Sequence, residues 1–213
     1  MKTIIFATGN KDKMREIREI LGSVDTEILS MREADIVSDP DENGKTFEDN
    51  ALIKARAVHE KLPEKYRDAV VLADDSGLVV DAMDGMPGVM SARWMGRDTS
   101  YHIKNAKIIE NLKDVPVEKR TARFVDAIAA VLPDGTEKTV RGVIEGKIGY
   151  EERGENGFGY DPIFMLPDMS VSTAELPPEE KNRISHRGRA LRAMAEELFG
   201  AAESRNRSRR DPM

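Results

Sequence analysis

The sequence predicts a mixed α/β fold, and three of its features carry that prediction. The chain opens on a β-branched run, TIIFA, which is followed by the turn signal TGN and then by a helical apolar pattern. Near the middle, RTARFVDAIAAVLPDGTEKTVRGVIEGKI is typical of a long β-hairpin that turns at Pro133–Gly135. Near the end, RGRALRAMAEELFG has the apolar spacing of a closing helix. Strands interleaved with helices indicate an α/β architecture.

The remaining elements follow in chain order. The first helix is expected to begin near Asn10 and to end at Gly22, and TEILS then predicts a second strand. TFEDNALIKARAVHEKL predicts a second helix, with Thr46 as N-cap and Asp49 completing an imperfect capping box. AVVLADDSGLVVDAM predicts a strand, an interruption and a further strand. A helix is expected over 100–113, and DPIFML predicts the last strand.

Composition limits the functional classes. The 213 residues fit one domain, expected over 1–200, followed by a basic, disordered tail over 201–213. A net charge of −6 argues against stable nucleic-acid binding, and no apolar run approaches the length of a membrane span. The absence of cysteine excludes disulfides and thiolate–zinc sites, and it suits a reducing cytoplasm. We therefore expect a cytoplasmic protein without a membrane partner.

Two adjacent carboxylates, Asp74 and Asp75, interrupt the apolar run VLADDSGLVV. Neighbouring side chains on a strand point to opposite faces, and a buried carboxylate needs a cation or a hydrogen-bond partner. Two acids at a strand end suit one metal ligand and one base that activates water. The competing interpretation is a β-bulge in which Asp74 accepts local N–H bonds and Asp75 is exposed. In the functional interpretation, Ser76 donates to a phosphate.

The turn TGNKDK is a candidate phosphate site. A strand-to-helix turn presents free N–H groups at the positive end of the helix dipole, and the side chains there add further donors. The residues concerned are Thr8, Gly9, Asn10 and Lys13. The alternative is that Asn10 only caps the helix and that Lys13 is a surface residue.

Three charged residues in the next segment are less decisive. Glu42 lies in the turn-rich stretch SDPDENGKT, and Glu48 lies in the first helical turn, where it favours the helix dipole in any case. Lys54 either binds an anion or is a surface charge.

Two later segments are candidates for binding a nucleobase. GFGYDPIF places Phe158 and Tyr160 among glycines, which suits a stacking platform but also suits simple packing on the hairpin. EEKNRISHRG gathers donors before the last helix, and these either read polar atoms of a base or form an ordinary basic loop. The donors are Lys181, His186 and Arg187.

Six motifs occur in the order TGNxxK, TFEDNAxxKA, ADDSGL, PGVxSAR, GFGYDPIF and SHRGxAL. In this order they resemble the non-canonical purine nucleoside triphosphate pyrophosphatases, the inosine/xanthosine triphosphate pyrophosphatase family. The resemblance runs from about residue 2 to residue 199. It implies an elongated mixed β-sheet with flanking helices and two lobes around a central nucleotide-binding cleft. It also implies Mg²⁺-dependent hydrolysis of ITP, dITP and XTP to the monophosphate and pyrophosphate, by a homodimer.

The resemblance also implies roles for the candidate residues. Asp75 would be the proton acceptor and a magnesium ligand, and Glu42 would be the second metal-associated acid, with Glu48 as the alternative. Asp74 would support the turn and the metal shell. The remaining positions would bind substrate. The triphosphate would be held by Thr8 to Lys13 with Ser76, and the base pocket would be formed by Phe158, Gly159, Tyr160, Asp161, Lys181, His186 and Arg187.

Two alternatives to this interpretation remain open. A magnesium-dependent nucleotide hydrolase with another base preference, such as a pyrimidine-directed enzyme, would share the phosphate and metal residues. A non-catalytic nucleotide sensor would bind nucleotide without releasing a phosphorus product. The retained carboxylates argue against the sensor, because binding alone needs no base that activates water.

Overall fold

A computed structural model of the chain describes residues 2–22 and 26–200, so the tail predicted for 201–213 lies outside the described residues. Within them the strands are β1 (Lys2–Phe6), β2 (Thr26–Ser30), β3 (Val70–Val80), β4 (Thr121–Val131), β5 (Glu137–Ile148) and β6 (Phe164–Met165). The helices in the same part of the chain are α1 (Lys11–Leu21), α2 (Phe47–His59), α3 (Tyr101–Asn111), α4 (Pro178–Ile184) and α5 (His186–Phe199). The predicted mixed α/β fold is confirmed.

The described strands form one sheet in the order β2-β1-β3-β4-β5-β6. Strand β1 pairs in parallel with β2 on one side and with β3 on the other. The carboxyl end of β1 and the middle of β3 therefore lie at the same edge of the parallel part, where ligands of α/β proteins commonly bind.

The chain divides into two compact units. The first comprises the described residues of 1–75, 127–142 and 188–213, and the second comprises Ser76–Asp126 and Val143–Arg187. Strands β3, β4 and β5 contribute residues to both units. The expectation of a single functional domain over 1–200 stays a prediction.

The first unit has a buried apolar layer on each face of its strands. Ile4 and Phe6 of β1 pack with α1 and α5, whereas Ile5 packs on the opposite side with α2. The same alternation holds in β3, where Leu72 joins the α1–α5 layer and Val71 joins the α2 layer. Each helix is thus fixed against one face.

The second unit has its own core, which includes buried side chains of β3, α3, β4 and the turn before β6. Phe164 and Ile148 are fully buried there, and Trp94 packs against the same core. The buried Arg120 guanidinium donates to the carbonyls of Ile148 and Gly149, which secures the end of β5.

Three details differ from the sequence-based expectations. Strand β3 runs unbroken from Val70 to Val80, so the predicted interruption at the acids, with Asp74 supporting a turn there, is wrong. Only Phe164–Met165 of DPIFML is a strand, because Asp161–Ile163 forms a 3-10 turn with Pro162. Lys181 and His186 lie within α4 and α5 rather than in a loop ahead of a helix.

None of the helices within the described residues combines the length and the apolar character that crossing a membrane requires.

The start of α2 yields a stability prediction. The Thr46 hydroxyl accepts from the Asp49 N–H at 3.1 Å, and the Asp49 carboxylate accepts from the Thr46 N–H at 3.1 Å, which completes the capping box. Thr46→Ala removes one half of it and should lower the free energy of unfolding by about 1 kcal/mol, measured by urea denaturation. Thr46→Ser keeps the hydroxyl and should stay close to the parent. Equal losses in both variants would contradict the capping role.

Candidate active site

Asp74 is buried and pairs with a lysine from α1. It follows Leu72 by two positions on β3, so its side chain faces the α1–α5 layer. There the Lys13 ammonium lies 2.6 Å from a carboxylate oxygen of Asp74, whose side chain is only 1% exposed. The alternative that Lys13 is a surface residue is wrong, because it places its charge beside a buried acid.

Asp75 points to the other face, where α2 lies. Its Oδ2 accepts from the Asn50 amide at 3.2 Å, and its Oδ1 accepts from the Lys54 ammonium at 3.2 Å. Asn50 and Lys54 are four residues apart, so they stand on one face of α2, one turn from each other. The bulge interpretation, in which Asp75 is exposed, is wrong, since Asp75 is 8% exposed within a regular strand.

Lys54 joins Asp75 to Glu42. Its Nζ lies 3.3 Å from a Glu42 carboxylate oxygen and 3.2 Å from Asp75, so both acids converge on one cationic group. Two hard carboxylate oxygens directed to a common point fit a divalent cation such as Mg²⁺, which commonly takes one or two protein carboxylates and completes its shell with phosphate and water. Among residues 2–22 and 26–200, no set of three or more His, Cys, Asp or Glu side chains is arranged for a metal.

Burial and charge act in opposite directions on this pair. Burial raises the pKa of the Asp75 carboxyl, although the charges of Lys54 and Lys13 and the Asn50 hydrogen bond oppose it. For Lys54, burial by itself would lower the pKa of the ammonium, but the attraction of Asp75, Asp74 and Glu42 outweighs burial and raises it. The lysine therefore stays charged, while the carboxyl group becomes more basic than an exposed aspartate.

Glu48 lies outside this group. Its carboxylate accepts two hydrogen bonds from the Arg141 guanidinium, at 2.6 and 2.9 Å. That pair lowers the pKa of the Glu48 carboxyl. The geometry supports Glu42, and not Glu48, as the acid next to Asp75.

In the TGN turn, Asn10 acts as the helix cap. Its side-chain oxygen accepts from the N–H groups of Asp12 and Lys13 at 2.9 and 3.1 Å, while Thr8 Oγ1 accepts from the Asn10 N–H at 3.2 Å. The interpretation of Asn10 as a cap is confirmed. Thr8 is half-buried, and Gly9 and Asn10 are exposed, so this turn presents a polar surface next to Lys13.

In the second unit, Asp161 and Lys181 form a buried ion pair. The Lys181 ammonium lies 2.7 Å from Asp161 Oδ2, and that oxygen also accepts from the Phe158 N–H at 2.9 Å. The Thr173 hydroxyl donates to Asp161 Oδ1 at 2.9 Å. A Cβ at Gly157 would collide with the Asp161 carboxylate, so glycine is required there. Asp161 thus ties the loop 157–161 to α4.

The two aromatic residues of this loop have different surroundings. Phe158 is half-buried, with the Lys181 ammonium 5.1 Å and the Arg187 guanidinium 5.5 Å from its ring centroid. Tyr160 is 4% exposed, and its hydroxyl donates to the Ser91 carbonyl at 2.8 Å. Phe158 therefore suits stacking on a planar ligand. Tyr160 instead fixes its own end of the loop through the hydrogen bond to the Ser91 carbonyl.

His186 and Arg187 begin α5 and are both buried. The His186 ring stacks on Phe124, with centroids 4.8 Å apart and planes inclined by 18°. Arg187 donates to the Ser76 hydroxyl at 3.3 Å. The structure thus brings Ser76, Phe158, Lys181 and Arg187 into one connected set of contacts.

Sequence reasoning missed Asn50 and Phe124. Asn50 stands at an apolar position of the helical pattern, and a fully buried amide there signals a bond to another polar group. Phe124 carries no sequence signal beyond its place in a buried strand. The hydroxyl of Ser91, in the motif PGVxSAR, donates to the Gly88 carbonyl at 2.6 Å and accepts from the Leu78 N–H at 2.9 Å.

The chain is similar over most of its length to proteins of one family. The model of the Ham1 family matches residues 4–197. A dITP/XTP pyrophosphatase from Exiguobacterium sibiricum is 46% identical over 191 residues, which cover 90% of this chain and 94% of that protein. A dITP/XTP pyrophosphatase from Bacillus cereus is 44% identical, over 93% of this chain and 95% of that protein. The solved structure of a HAM1 protein from Coxiella burnetii superposes with a TM-score of 0.81 at 38% identity, covering 94% of this chain and all (100%) of that one.

The Lys54–Asp75 contact yields a prediction on charge. Lys54→Gln removes the cation that opposes the effect of burial, so the pKa of the Asp75 carboxyl should rise further. The carboxyl would then stay protonated to a higher pH than in the parent, which is measurable by NMR titration of the labelled side chain. Lys65→Gln removes an exposed charge near Asp35 and should leave the Asp75 pKa unchanged. An unchanged or lowered Asp75 pKa in Lys54→Gln would contradict the assigned contact.

Proposed function

The chain belongs to the Ham1 family, and we propose that it is a nucleoside triphosphate pyrophosphatase that cleans the nucleotide pool. It hydrolyses ITP, dITP and XTP to the nucleoside monophosphate and pyrophosphate. The observation that carries the proposal is the buried Asp75 carboxylate, held between Asn50 and Lys54 at 3.2 Å from each, with Glu42 on the same lysine. A fixed carboxylate of raised pKa among cations suits water activation next to a polyphosphate.

Asp75 is the general base of the proposed reaction. Its carboxylate takes a proton from a water molecule, and that water attacks the α-phosphorus as pyrophosphate leaves. The hydrogen bond from Asn50 fixes the orientation of the carboxylate, and the raised pKa makes it a better proton acceptor than an ordinary aspartate. Lys13 and Lys54 lie beside the acids and supply positive charge to the phosphates, with Thr8, Gly9 and Asn10 in the adjoining turn.

Mg²⁺ is the proposed cofactor. Glu42 and Asp75 would hold it, since both carboxylates already converge on one ammonium group. When bound, the ion neutralises phosphate charge and lowers the pKa of bound water.

The second set of residues is proposed to bind the base. Phe158 offers a ring face for stacking, and the cationic or polar groups of Lys181, His186 and Arg187 offer hydrogen-bond donors. Ser76, which lies beside Arg187, is proposed to donate to a phosphate instead. Hypoxanthine and xanthine carry a 6-oxo acceptor where adenine carries an amino donor. A pocket built of donors is left unpaired against adenine, and such pockets reject the wrong partner by roughly 10⁴–10⁵.

We also propose that the protein acts as a homodimer in the cytoplasm and binds no nucleic acid stably. The family resemblance supports the dimer, and the nature of the substrate supports the location. The net charge of −6 opposes attraction to a polyanion.

The proposal is tested by incubating the purified protein with Mg²⁺ and one nucleotide at a time. ITP, XTP, ATP, GTP and dTTP are compared, and the phosphorus product is identified by ³¹P NMR. We expect pyrophosphate from ITP and XTP, and turnover of ATP lower by about 10⁴ or more, because adenine leaves the donors unpaired.

Three results would contradict the proposal. Orthophosphate as the first product would place the attack at another phosphorus. Preferred turnover of dTTP would favour a pyrimidine-directed enzyme. Tight nucleotide binding without any product would indicate a sensor.

A further inference from the structure

Helix α3 contains none of the residues predicted to contact substrate, yet one face of it supports the loop 157–161. Asn105, in the middle of the helix, is 1% exposed. Its amide nitrogen donates to the Gly159 carbonyl at 3.2 Å and to Glu152 Oε1 at 2.7 Å. One buried side chain therefore connects the helix to the loop and to the segment that precedes the loop.

The orientation of the Asn105 amide is fixed by its neighbours. Both of its partners, a carbonyl and a carboxylate, are acceptors only, so the nitrogen must face them. The amide oxygen is buried and meets no hydrogen-bond donor within the described residues. The second oxygen of Glu152 lies 2.6 Å from His102 Nδ1, on the same helix, so the carboxylate itself is held at both ends.

Tyr101, one turn earlier on α3, packs against the same loop. Its ring meets Tyr160 edge to face, with centroids 5.0 Å apart and planes at 89°. A Cβ at Gly159, where φ is +71°, would lie 3.6 Å from the Tyr101 ring, which is ordinary contact distance. Tyr160 in turn donates to the Ser91 carbonyl at 2.8 Å. The loop thus rests on α3 through an aromatic contact and a hydrogen bond.

We propose that Asn105 and Tyr101 are positioning residues that set the loop 157–161 for recognition of the base, so that α3 determines selectivity among purine nucleotides. The inference rests on the proposed function, in which Phe158 and its neighbours bind the base. The Gly159 carbonyl belongs to the backbone between Phe158 and Tyr160. Without the hydrogen bond from Asn105 this backbone is less restrained, so it no longer fixes the orientation of the Phe158 ring. The acids and lysines of the reaction belong to other parts of the chain, namely α1, the segment before α2, α2 itself and β3.

Asn105→Asp tests the proposal without changing the size of the side chain. The substitution replaces the amide nitrogen, which donates to the Gly159 carbonyl and to Glu152, by a carboxylate oxygen. The hydrogen bond to Gly159 is therefore lost, and the new charge repels the Glu152 carboxylate. We expect KM for ITP to rise about tenfold, and the ITP-to-ATP preference in kcat/KM to fall by a similar factor. The value of kcat for ITP should stay within about twofold, because the lost interaction serves binding rather than the chemical step.

Asn111→Asp is the matched control. It makes the same substitution at an exposed position at the end of the same helix, and its kinetic constants should equal those of the parent. Tyr101→Ala provides a second variant that acts through packing alone and should shift KM and preference in the same direction. Hydrogen exchange of a peptide covering 157–161 gives a readout independent of activity, and it should be faster in Asn105→Asp than in Asn111→Asp.

The outcomes separate the inference from the function on which it rests. A parent protein that makes pyrophosphate from ITP, together with Asn105→Asp and Tyr101→Ala variants of unchanged KM and preference, would overturn the inference alone. A loss of kcat for all nucleotides with unchanged KM would also overturn it, because that pattern reports a reduced folded fraction. A parent protein without activity on ITP would overturn both the proposed function and this inference.

Discussion

Alternation along β3 turns Asp74 and Asp75 to opposite faces of the sheet, and each carboxylate lies in the interior beside a lysine ammonium group. A buried, unpaired carboxylate would neutralise itself by taking up a proton. The fold therefore has to bring a cation to each face. Helix α1 supplies Lys13 on one side and α2 supplies Lys54 on the other, so the packing of both helices is coupled to the charges of the site.

The same arrangement explains how a structural requirement becomes chemistry. Asn50 and Lys54 hold the two oxygens of Asp75 in place, and burial keeps its pKa above that of an exposed aspartate. Lys54 also draws Glu42 toward Asp75, which gathers two hard ligands at one point. In the proposed reaction the charges that keep the acids buried also serve the phosphates. Orientation and electrostatics of this kind account for most of the catalysis of phosphoryl transfer.

Local sequence patterns predicted the structural features that depend only on residues close together in the chain. The Asn10 cap, the capping box of Thr46 and the turn at Pro133–Gly135 follow from short-range rules and are confirmed. Contacts between distant residues could not be predicted in this way. The partner of Asp74 lies 61 residues away. For Tyr160 the sequence left stacking on a base and packing on the hairpin both open, because nothing in GFGYDPIF reveals its hydrogen bond to the Ser91 carbonyl.

The unbroken course of β3 shows that strand propensity gave a wrong prediction at Asp74 and Asp75. Two acids in an apolar run predicted an interruption, since aspartate is unfavourable in strands. The lysines on both faces remove that penalty, and they become visible only when α1 and α2 are packed on the sheet. The resemblance to a family supplied the roles of the acids, and the geometry supplies the physical reason why two adjacent acids are tolerated.

The Asp75→Asn variant shows whether the Asp75 carboxylate activates the attacking water. The amide keeps the size of the side chain but cannot accept the proton. Single-turnover hydrolysis of ITP with Mg²⁺ should slow by on the order of 10²–10⁴, while ITP binding, measured separately by calorimetry, should persist. Near-normal turnover in Asp75→Asn would contradict the account, because the water would then be activated by another group.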